Sequence, residues 1–565
     1  MFIKVTKSGT RRYVQLVESH RNEDGQPRQR TVATLGRLDT LDASLESVIN
    51  GLLRVTGRSQ IKETTDSAIR FESSKSLGDV WALQCLWGEL GFDRIASALG
   101  QKSRQVQLEP LIKAMVFNRL CEPDSKLGVL RWLETTAVPG VDAQGVTHQR
   151  LLRSMDLLDE NADAFDDFLA SLLRPLIDED LSVVFYDMTT IQIHGTRELD
   201  EDLRAYGVSK LGGIARQCML GVVQTADGIP LYHQVWVGNT AEVSTFKPTV
   251  QKIVDRFPVK RLIVVADRGL LSMETLSELK HIKVGDRPIE FIMAVPGRRY
   301  SDFFEILTDV HTQAGLANAT REVIGETSWE EHRLVWAHNP EAAQQQTKQR
   351  RQRIKDIEDA ALAKVNRLES QDTGKRRKGR PMSDSGAKAW MYHEARVAKL
   401  AHIIHVDTKS NLFAYDIDQT ALARAELNDG KLLLVTNVTD MDAASIIARY
   451  KSLADIERGF RVLKSELEIG PVYHRLPKRI RAHAAICFIA LVMHRVMRQR
   501  LKAAGHAYSP DRALQLLRQI QKHRVHLPEQ KTVNGISNIS EEQADLFRAL
   551  KLRKPNSQNV QLSLF

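Results

Sequence analysis

The chain has 565 residues, more than one hydrophobic core usually holds, so several domains are expected. Hydrophobic residues make up 42% and charged residues 27%, a composition typical of soluble globular proteins. The 80 lysines and arginines exceed the 70 aspartates and glutamates, and the resulting net charge of +10 favours a polyanionic partner such as nucleic acid.

The four cysteines, Cys85, Cys121, Cys218 and Cys487, lie far apart and form no Cys-x-x-Cys pair. Their spacing argues against a zinc ribbon and a disulfide framework, and it suits a reducing cytosol. The N-terminus lacks the apolar core of a signal peptide. The longest apolar run, at 484–493, is about half the length that a membrane span needs. We therefore expect a cytoplasmic protein with no membrane partner and a buried helix at this run.

Residues 1–60 alternate between polar and apolar side chains, as strands do, and the polar segment 20–30 predicts a hairpin turn. The next region carries apolar residues at helical spacing and is predicted to be all-α. Strand and helix patterns alternate after residue 180, which predicts an α/β sheet. The predicted organisation is a β module at 1–60, a helical region at 61–178, an α/β core at 179–299 and 429–500, an insertion at 300–428, and a C-terminal helical region at 501–565.

Within the insertion, residues 321–339 predict a hairpin and residues 340–370 a long charged helix. After it, the pattern at 439–469 predicts one amphipathic helix, with Thr439 or Asp440 as its N-cap.

Two strand patterns, 181–187 and 261–267, end on a carboxylate: Asp187 and Asp267. Aspartate is depleted in strands, and burying an unpaired carboxylate is costly. Open α/β sheets form their sites at the carboxyl ends of strands, so the two aspartates indicate a site. The alternative is that Asp187 caps a turn.

A third carboxylate, Glu457, lies on the helix predicted over 439–469. Tyr450, Glu457 and Lys464 are seven residues apart and would share one face of that helix. The alternative is an ordinary surface helix in which Glu457 pairs with Arg461. Three carboxylates suit hard divalent cations, and two such ions about 3.5–4 Å apart activate water and stabilise the leaving oxygen of a phosphodiester.

The segments "FYDMTT", "VVADRGL" and "YKSLADIERGFRVLKSELEIGPVYHR" together resemble the DDE transposases of bacterial insertion sequences. The resemblance is narrower to the group with an insertion before the glutamate and a Y-x2-R-x3-E-x6-K signature. The segment "QRTVATLGRLD" is similar to the opening of one long-chain subgroup. The resemblance implies a ribonuclease-H-like core, a mixed sheet with flanking helices, in which Asp187, Asp267 and Glu457 are the catalytic residues and bind Mg²⁺, for which Mn²⁺ can substitute.

The same resemblance implies that Tyr450 and Lys464 lie near the DNA backbone. The arginine of the signature is absent, because its position is Leu453. Arg449, Arg458 and Arg461 are candidates to supply a phosphate contact in its place.

Two further basic features are candidates for DNA binding. Arg268 directly follows Asp267 and either contacts a phosphate or forms a strand-end salt bridge. The loop residues Lys375, Arg376, Arg377 and Lys378 suit phosphates without reading sequence; the alternative is a solvated linker.

The function implied by the resemblance is transposition: metal-dependent cleavage of DNA at the element ends and transfer of the strands to target DNA. Double-stranded DNA is then the partner, a homodimer on DNA is expected, and the β module and helical region would bind the ends. Alternatives are a ribonuclease-H-like nuclease without strand transfer and an inactive DNA-binding regulator. A glycosidase with paired carboxylates would need neither metal nor basic surface.

Overall fold

A computed structural model describes residues 1–22, 26–38, 49, 52–56, 70–100, 107–176, 182–195, 202–209, 212–257, 260–266, 276, 279, 281–372, 383–527 and 531–556. The chain divides into two compact units. One consists of residues 1–73 and 523–535, and the other of residues 74–522 and 536–565.

The N-terminal strands form a three-stranded antiparallel sheet in chain order. Its strands are β1 (Phe2–Ser8), β2 (Arg11–Arg21) and β3 (Pro27–Arg37). Gly9 joins the first two strands with a φ of 59°, a left-handed conformation that favours glycine. Val14 and Val17 of β2 are buried, whereas most residues of the three strands are exposed. These strands confirm the alternation read from the sequence. A further strand, β4 (Arg70–Ser76), follows.

Six helices come next, as the helical spacing predicts. They are α1 (Gly78–Leu90), α2 (Ile95–Ala98), α3 (Leu108–Cys121), α4 (Lys126–Thr135), α5 (His148–Glu160) and α6 (Ala162–Leu173). Every residue from Leu111 to Cys121 of α3 is buried, so this helix is the centre of the region. The hydroxyl of Ser125 accepts the Gly128 N–H and caps α4, and Thr147 caps α5 in the same way.

The central sheet begins after these helices. Its first elements are β5 (Ser182–Gln192), β6 (Ala205–Val208), β7 (Ile214–Thr225), β8 (Pro230–Val237), helix α7 (Glu242–Arg256) and β9 (Leu262–Ala266). A short hairpin and further elements follow: β10 (Lys283–Val284), β11 (Arg287–Pro288), β12 (Glu290–Ala294), α8 (Phe304–Gln313), β13 (Val323–Trp329) and β14 (His332–His338). All five residues of β9 are buried, as expected of a central strand covered on both faces.

A separate apolar cluster lies inside the predicted insertion. Its elements are α9 (Pro340–Asp372), α10 (Asp384–Val397), the paired strands β15 (Ile404–Val406) and β16 (Tyr415–Ile417), and α11 (Gln419–Asn428). Ile354 and Ile357 of α9 pack with Met391 of α10 and with Ile403. The long helix predicted from residue 340 is thereby confirmed.

The chain then returns to the central sheet as β17 (Lys431–Thr436). The strand order is β13-β14-β17-β12-β9-β5-β7-β6, with β8 also paired to β7. The pairs β5–β9 and β9–β12 are parallel and the others are antiparallel, so the sheet is mixed, as expected. The predicted hairpin β13–β14 is part of this sheet, because β14 pairs with β17.

The remaining elements are mostly helices. They are α12 (Ala443–Lys451), α13 (Ala454–Ser465), α14 (Pro477–Ala503), α15 (Pro510–Leu517), strands β18 (Gln521–Leu527) and β19 (Lys531–Ile536), and α16 (Glu541–Ala549). The order β19-β18-β4 makes another three-stranded sheet. The C-terminal region was predicted to be helical, and these two strands correct that expectation: alternating side chains such as those of "KHRVHL" suit a strand.

Helix α14 connects the helical region to the central sheet. It packs on α3 and α5 and also on β8, where Phe488 stacks on His233 with ring centroids 4.5 Å apart. Arg479 and Arg481 pair with Asp156 and Asp159 of α5. By length and composition α14 could cross a membrane, but 94% of its apolar window is buried inside the protein. It is a core helix and does not indicate a membrane protein.

The burial of Phe488 makes α14 a test of core packing. Phe488→Ala should lower the free energy of unfolding by about 3–5 kcal/mol, because the cavity left between α14 and β8 cannot collapse fully. Urea unfolding followed by tryptophan fluorescence measures the loss. Leu362→Ala, at a residue of α9 that is 59% exposed, is the control and should stay within about 0.5 kcal/mol of wild type.

Candidate functional site

The parallel pairing of β5 and β9 brings together the residues that precede the two aspartates. Tyr186 of β5 is in register with Ala266, the last residue of β9. Asp187 is the next residue of β5, and Asp267 is the next residue after Ala266 in the sequence. Asp267 itself lies outside the described residues. A site shared by Asp187 and Asp267 depends on this register, because it aligns the residues that precede the two aspartates.

Asp187 lies within β5 and not at its end. The strand continues to Gln192, because Thr189 and Ile191 keep pairing with β7, and the expectation that the strand ends on Asp187 is corrected. Thr189, Thr190 and Ile191 are β-branched, which favours the extended backbone. Asp187 is half-buried.

The Asp187 carboxylate accepts the Met188 N–H at 2.6 Å. Buried Tyr186 and Met188 flank it along the strand. A carboxylate held in such surroundings is partly desolvated, which is the setting expected of a group that binds a cation.

The helix predicted over 439–469 is two helices. Tyr450 lies in the last turn of α12, and Ser452 and Leu453 form a turn before α13 begins at Ala454. The seven-residue spacing of Tyr450 and Glu457 therefore does not place them on one continuous helix. Periodicity missed this break because the apolar pattern continues through the turn: Leu453 is buried there.

The N-cap of α12 also differs from the expected residue. Asp442 caps the helix by accepting the Ser445 N–H at 2.6 Å. Asp440, one of the two predicted caps, instead pairs with Arg261 at the start of β9. The pair Asp440–Arg261 ties the segment before α12 to the strand that leads to Asp267.

Helix α13 lies over the sheet face that carries the Asp187 side chain. Gly459 of α13 lies against Gln224 of β7: a Cβ at Gly459 would be 2.6 Å from the Gln224 Nε2 atom. Gln224 is opposite Phe185, two residues before Asp187, so the three side chains share one face of the sheet.

Glu457 is two residues before Gly459 on this helix, and its side chain is not part of the description. Among the described residues, no three His, Cys, Asp or Glu side chains lie close enough together to hold a metal ion. Asp267 and the Glu457 side chain are not among these described groups.

Two residues that the sequence did not single out position α13. Arg495 of α14 is buried, and its Nη2 atom would lie 3.0 Å from a Cβ at Gly459. His494 Nε2 lies 2.9 Å from the Glu466 carboxylate directly after α13, and this contact lowers the pKa of Glu466. The signal available in the sequence was a histidine and an arginine directly after the apolar run 484–493, followed by further apolar residues of α14.

The candidate DNA-contacting residues differ in exposure. Arg458 and Arg461 of α13 are exposed and Lys464 is half-buried, whereas Tyr450 is only 9% exposed. Leu453, at the position of the signature arginine, is buried. Arg268 and the loop residues Lys375, Arg376, Arg377 and Lys378 lie outside the described residues.

Two family models match the chain. Residues 178–493 match the model described as "Transposase DDE domain", and residues 3–65 match "IS1634 family transposase, N-terminal domain". The first match covers more than half of the 565 residues and contains β5, β9 and α13. A search of the curated proteins finds no match.

The contact at Gly459 predicts the effect of adding a side chain there. Gly459→Val should destabilise the protein by about 1–3 kcal/mol, because the new methyl groups meet Gln224 and Arg495 in a buried layer. The change should appear as a lower melting temperature in calorimetry. Gly88→Val is the matched control, since it places the same β-branched residue in α1 where no atom lies within 4 Å. Equal destabilisation by both changes would contradict close packing of α13.

Proposed function

Because the chain belongs to the DDE transposases of insertion sequences, we propose that it binds the ends of its own element, cleaves DNA there and joins the cut strands to target DNA. The observation that carries the proposal is the register of β5 and β9, with Tyr186 opposite Ala266. This register supports a shared site for Asp187 and Asp267. The packing of α13 over the same face supports Glu457 as its third member.

The proposed catalytic residues are Asp187, Asp267 and Glu457, which would hold divalent cations. Three carboxylates supply the oxygen ligands that Mg²⁺ prefers, and Mn²⁺ can substitute for it. When bound, the metal lowers the pKa of a water molecule and stabilises charge on the phosphate oxygens. A half-buried setting keeps the Asp187 carboxylate from full hydration, which favours its exchange of water for a cation.

The DNA backbone would be held by cations on the exposed side of α13. Arg458 and Arg461 are exposed and Lys464 is half-buried, so all three heads can reach a phosphate. Since Leu453 is buried, we propose that Arg458 and Arg461 take over the phosphate contact of the missing arginine. Tyr450 would contribute by holding α12 in position, because only 9% of its surface is exposed and little of it can contact DNA.

The remaining proposed DNA contacts are Arg268, which follows Asp267 in the sequence, and the basic loop Lys375, Arg376, Arg377 and Lys378. We also propose that the protein acts in the cytoplasm as a homodimer on DNA, since two element ends must be cut and joined together.

The proposed chemistry is tested by cleavage of DNA that carries the flanking sequence of the gene. Wild type should nick this DNA at a defined position with Mg²⁺ and not with EDTA. Asp187→Asn should lower the rate at least about 100-fold, because loss of a ligand charge removes several kcal/mol of transition-state stabilisation. Asp227→Asn, an exposed aspartate in the turn between β7 and β8, is the matched control and should keep the wild-type rate.

Adding a supercoiled target plasmid distinguishes transposition from cleavage without strand transfer. Joined products support transposition, whereas nicking without joining supports a nuclease that lacks strand transfer. Specific binding to the ends with no nicking in Mg²⁺ or Mn²⁺ would contradict the catalytic proposal and leave a DNA-binding regulator.

A further inference from the structure

A cleft of about 710 Å³ lies between the helical region and the segment that follows α13. One wall is the start of α4, and the other is residues 468–476. The second wall is attached to the strand that carries Asp187: Val472 N–H bonds to the Gln192 carbonyl, and His194 N–H bonds to the Val472 carbonyl, both at 2.9 Å. The cleft is therefore connected through β5 to the proposed catalytic site without being part of it.

The side chain of Lys126 lines this cleft and is almost fully buried. Lys126 is 5% exposed, and it makes no hydrogen bond or ion pair with any described residue. Burial, and after it the nearby charge of Arg119, lowers the pKa of its amine to about 7. A buried amine without a partner is costly, so its retention points to a ligand that neutralises it.

The carboxylates nearby have other partners or are open to solvent, and one of them, the exposed Asp124, lies in the cleft lining beside the first turn of α4. Asp124 accepts the Ser125 N–H and pairs with Arg131, which holds its pKa below the usual range. Asp156 pairs with Arg479 at 2.9 Å. Glu468, the other carboxylate of the lining, is exposed.

Two histidines of the lining, His474 and His483, are close to the same positive charges. Burial, together with the charges of Lys126, Arg479 and Arg119, lowers the pKa of His474 to about 3. The pKa of His483 is also lowered well below its ordinary value, first by burial and then by Lys126 and Arg119. Both imidazoles are therefore neutral at physiological pH, and they can donate or accept hydrogen bonds without adding charge.

The beginning of α4 adds donors to the same wall. The Ser125 hydroxyl caps the helix through the Gly128 N–H, and the lining includes Ser125, Lys126 and Leu127. The first N–H groups of a helix have no partner inside it, and the helix dipole places partial positive charge there. Such a terminus together with a buried cation is suited to a phosphate.

We propose that this cleft binds a phosphate group, held by Lys126, the first turn of α4 and the exposed Arg475. Lys126 and α4 belong to the helical region, whereas Arg475 belongs to the segment that follows α13. A phosphate here would therefore be bound by both walls of the cleft. The group is either a backbone phosphate of bound DNA or free phosphate, and both meet the same donors.

The first test uses inorganic phosphate alone, with EDTA and without DNA, so that its outcome does not depend on the proposed catalysis. Phosphate should raise the melting temperature of wild type by about 1–2 °C over chloride at equal ionic strength. Lys126→Met should remove this rise, and its own melting temperature should be unchanged or higher, because it relieves a buried charge.

Lys478→Met is the matched control for loss of one charge. Lys478 pairs with Asp156 and does not line the cleft, so the rise with phosphate should persist. Arg475→Met, at an exposed residue of the lining, should weaken the rise without altering a buried position. A phosphate effect no larger than that of chloride, or one retained by Lys126→Met, overturns the proposal.

A second test identifies the source of the phosphate. The affinity for duplex DNA with the element end is measured by fluorescence anisotropy in EDTA over a range of salt concentrations. If a backbone phosphate occupies the cleft, Lys126→Met should reduce the slope of log Kd against log salt by about 0.9, the value for one contact. An unchanged slope with a lost phosphate effect assigns the cleft to free phosphate.

Discussion

The parallel register of β5 and β9 is the constraint on which the candidate site depends. A shift of one residue would turn Asp187 to the opposite face of the sheet, away from α13. The register is secured on both sides, because β9 is fully buried between β5 and β12 and β5 is paired along its length with β7. The carboxylate is therefore placed by the sheet, and no loop has to hold it.

The third element of the site is placed by close packing. Helix α13 reaches the sheet because Gly459 has no side chain where it meets Gln224 and Arg495. Arg495 comes from α14, and α14 also packs on α3 and α5 of the helical region. A change in the helical region could thus reach α13 through one buried helix. This packing supplies a route by which the DNA-end binding and the cleavage proposed above would be linked.

The periods of apolar residues predicted the helical region, the α/β pattern and the hairpin β13–β14 well, and the mixed sheet was expected from the family resemblance. It failed at Leu453, where a buried leucine carries the apolar pattern across a break between helices. It also placed Asp187 at a strand end, although β-branched residues extend β5 further. Gln224 and Arg495 could not be predicted, since their role comes from contacts between residues far apart in the chain.

For DNA binding, the position of basic side chains relative to acidic ones is more informative than the net charge of +10. Many arginines of this chain are part of its structure: Arg261 pairs with Glu290 and Asp440, and Arg479 pairs with Asp156. Such pairs are neutralised before any DNA arrives. Lys126 differs because it is buried and pairs with no acidic side chain among the described residues. A phosphate bound there as proposed would meet an amine that burial partly removes from water, where charge is screened less than at an exposed lysine.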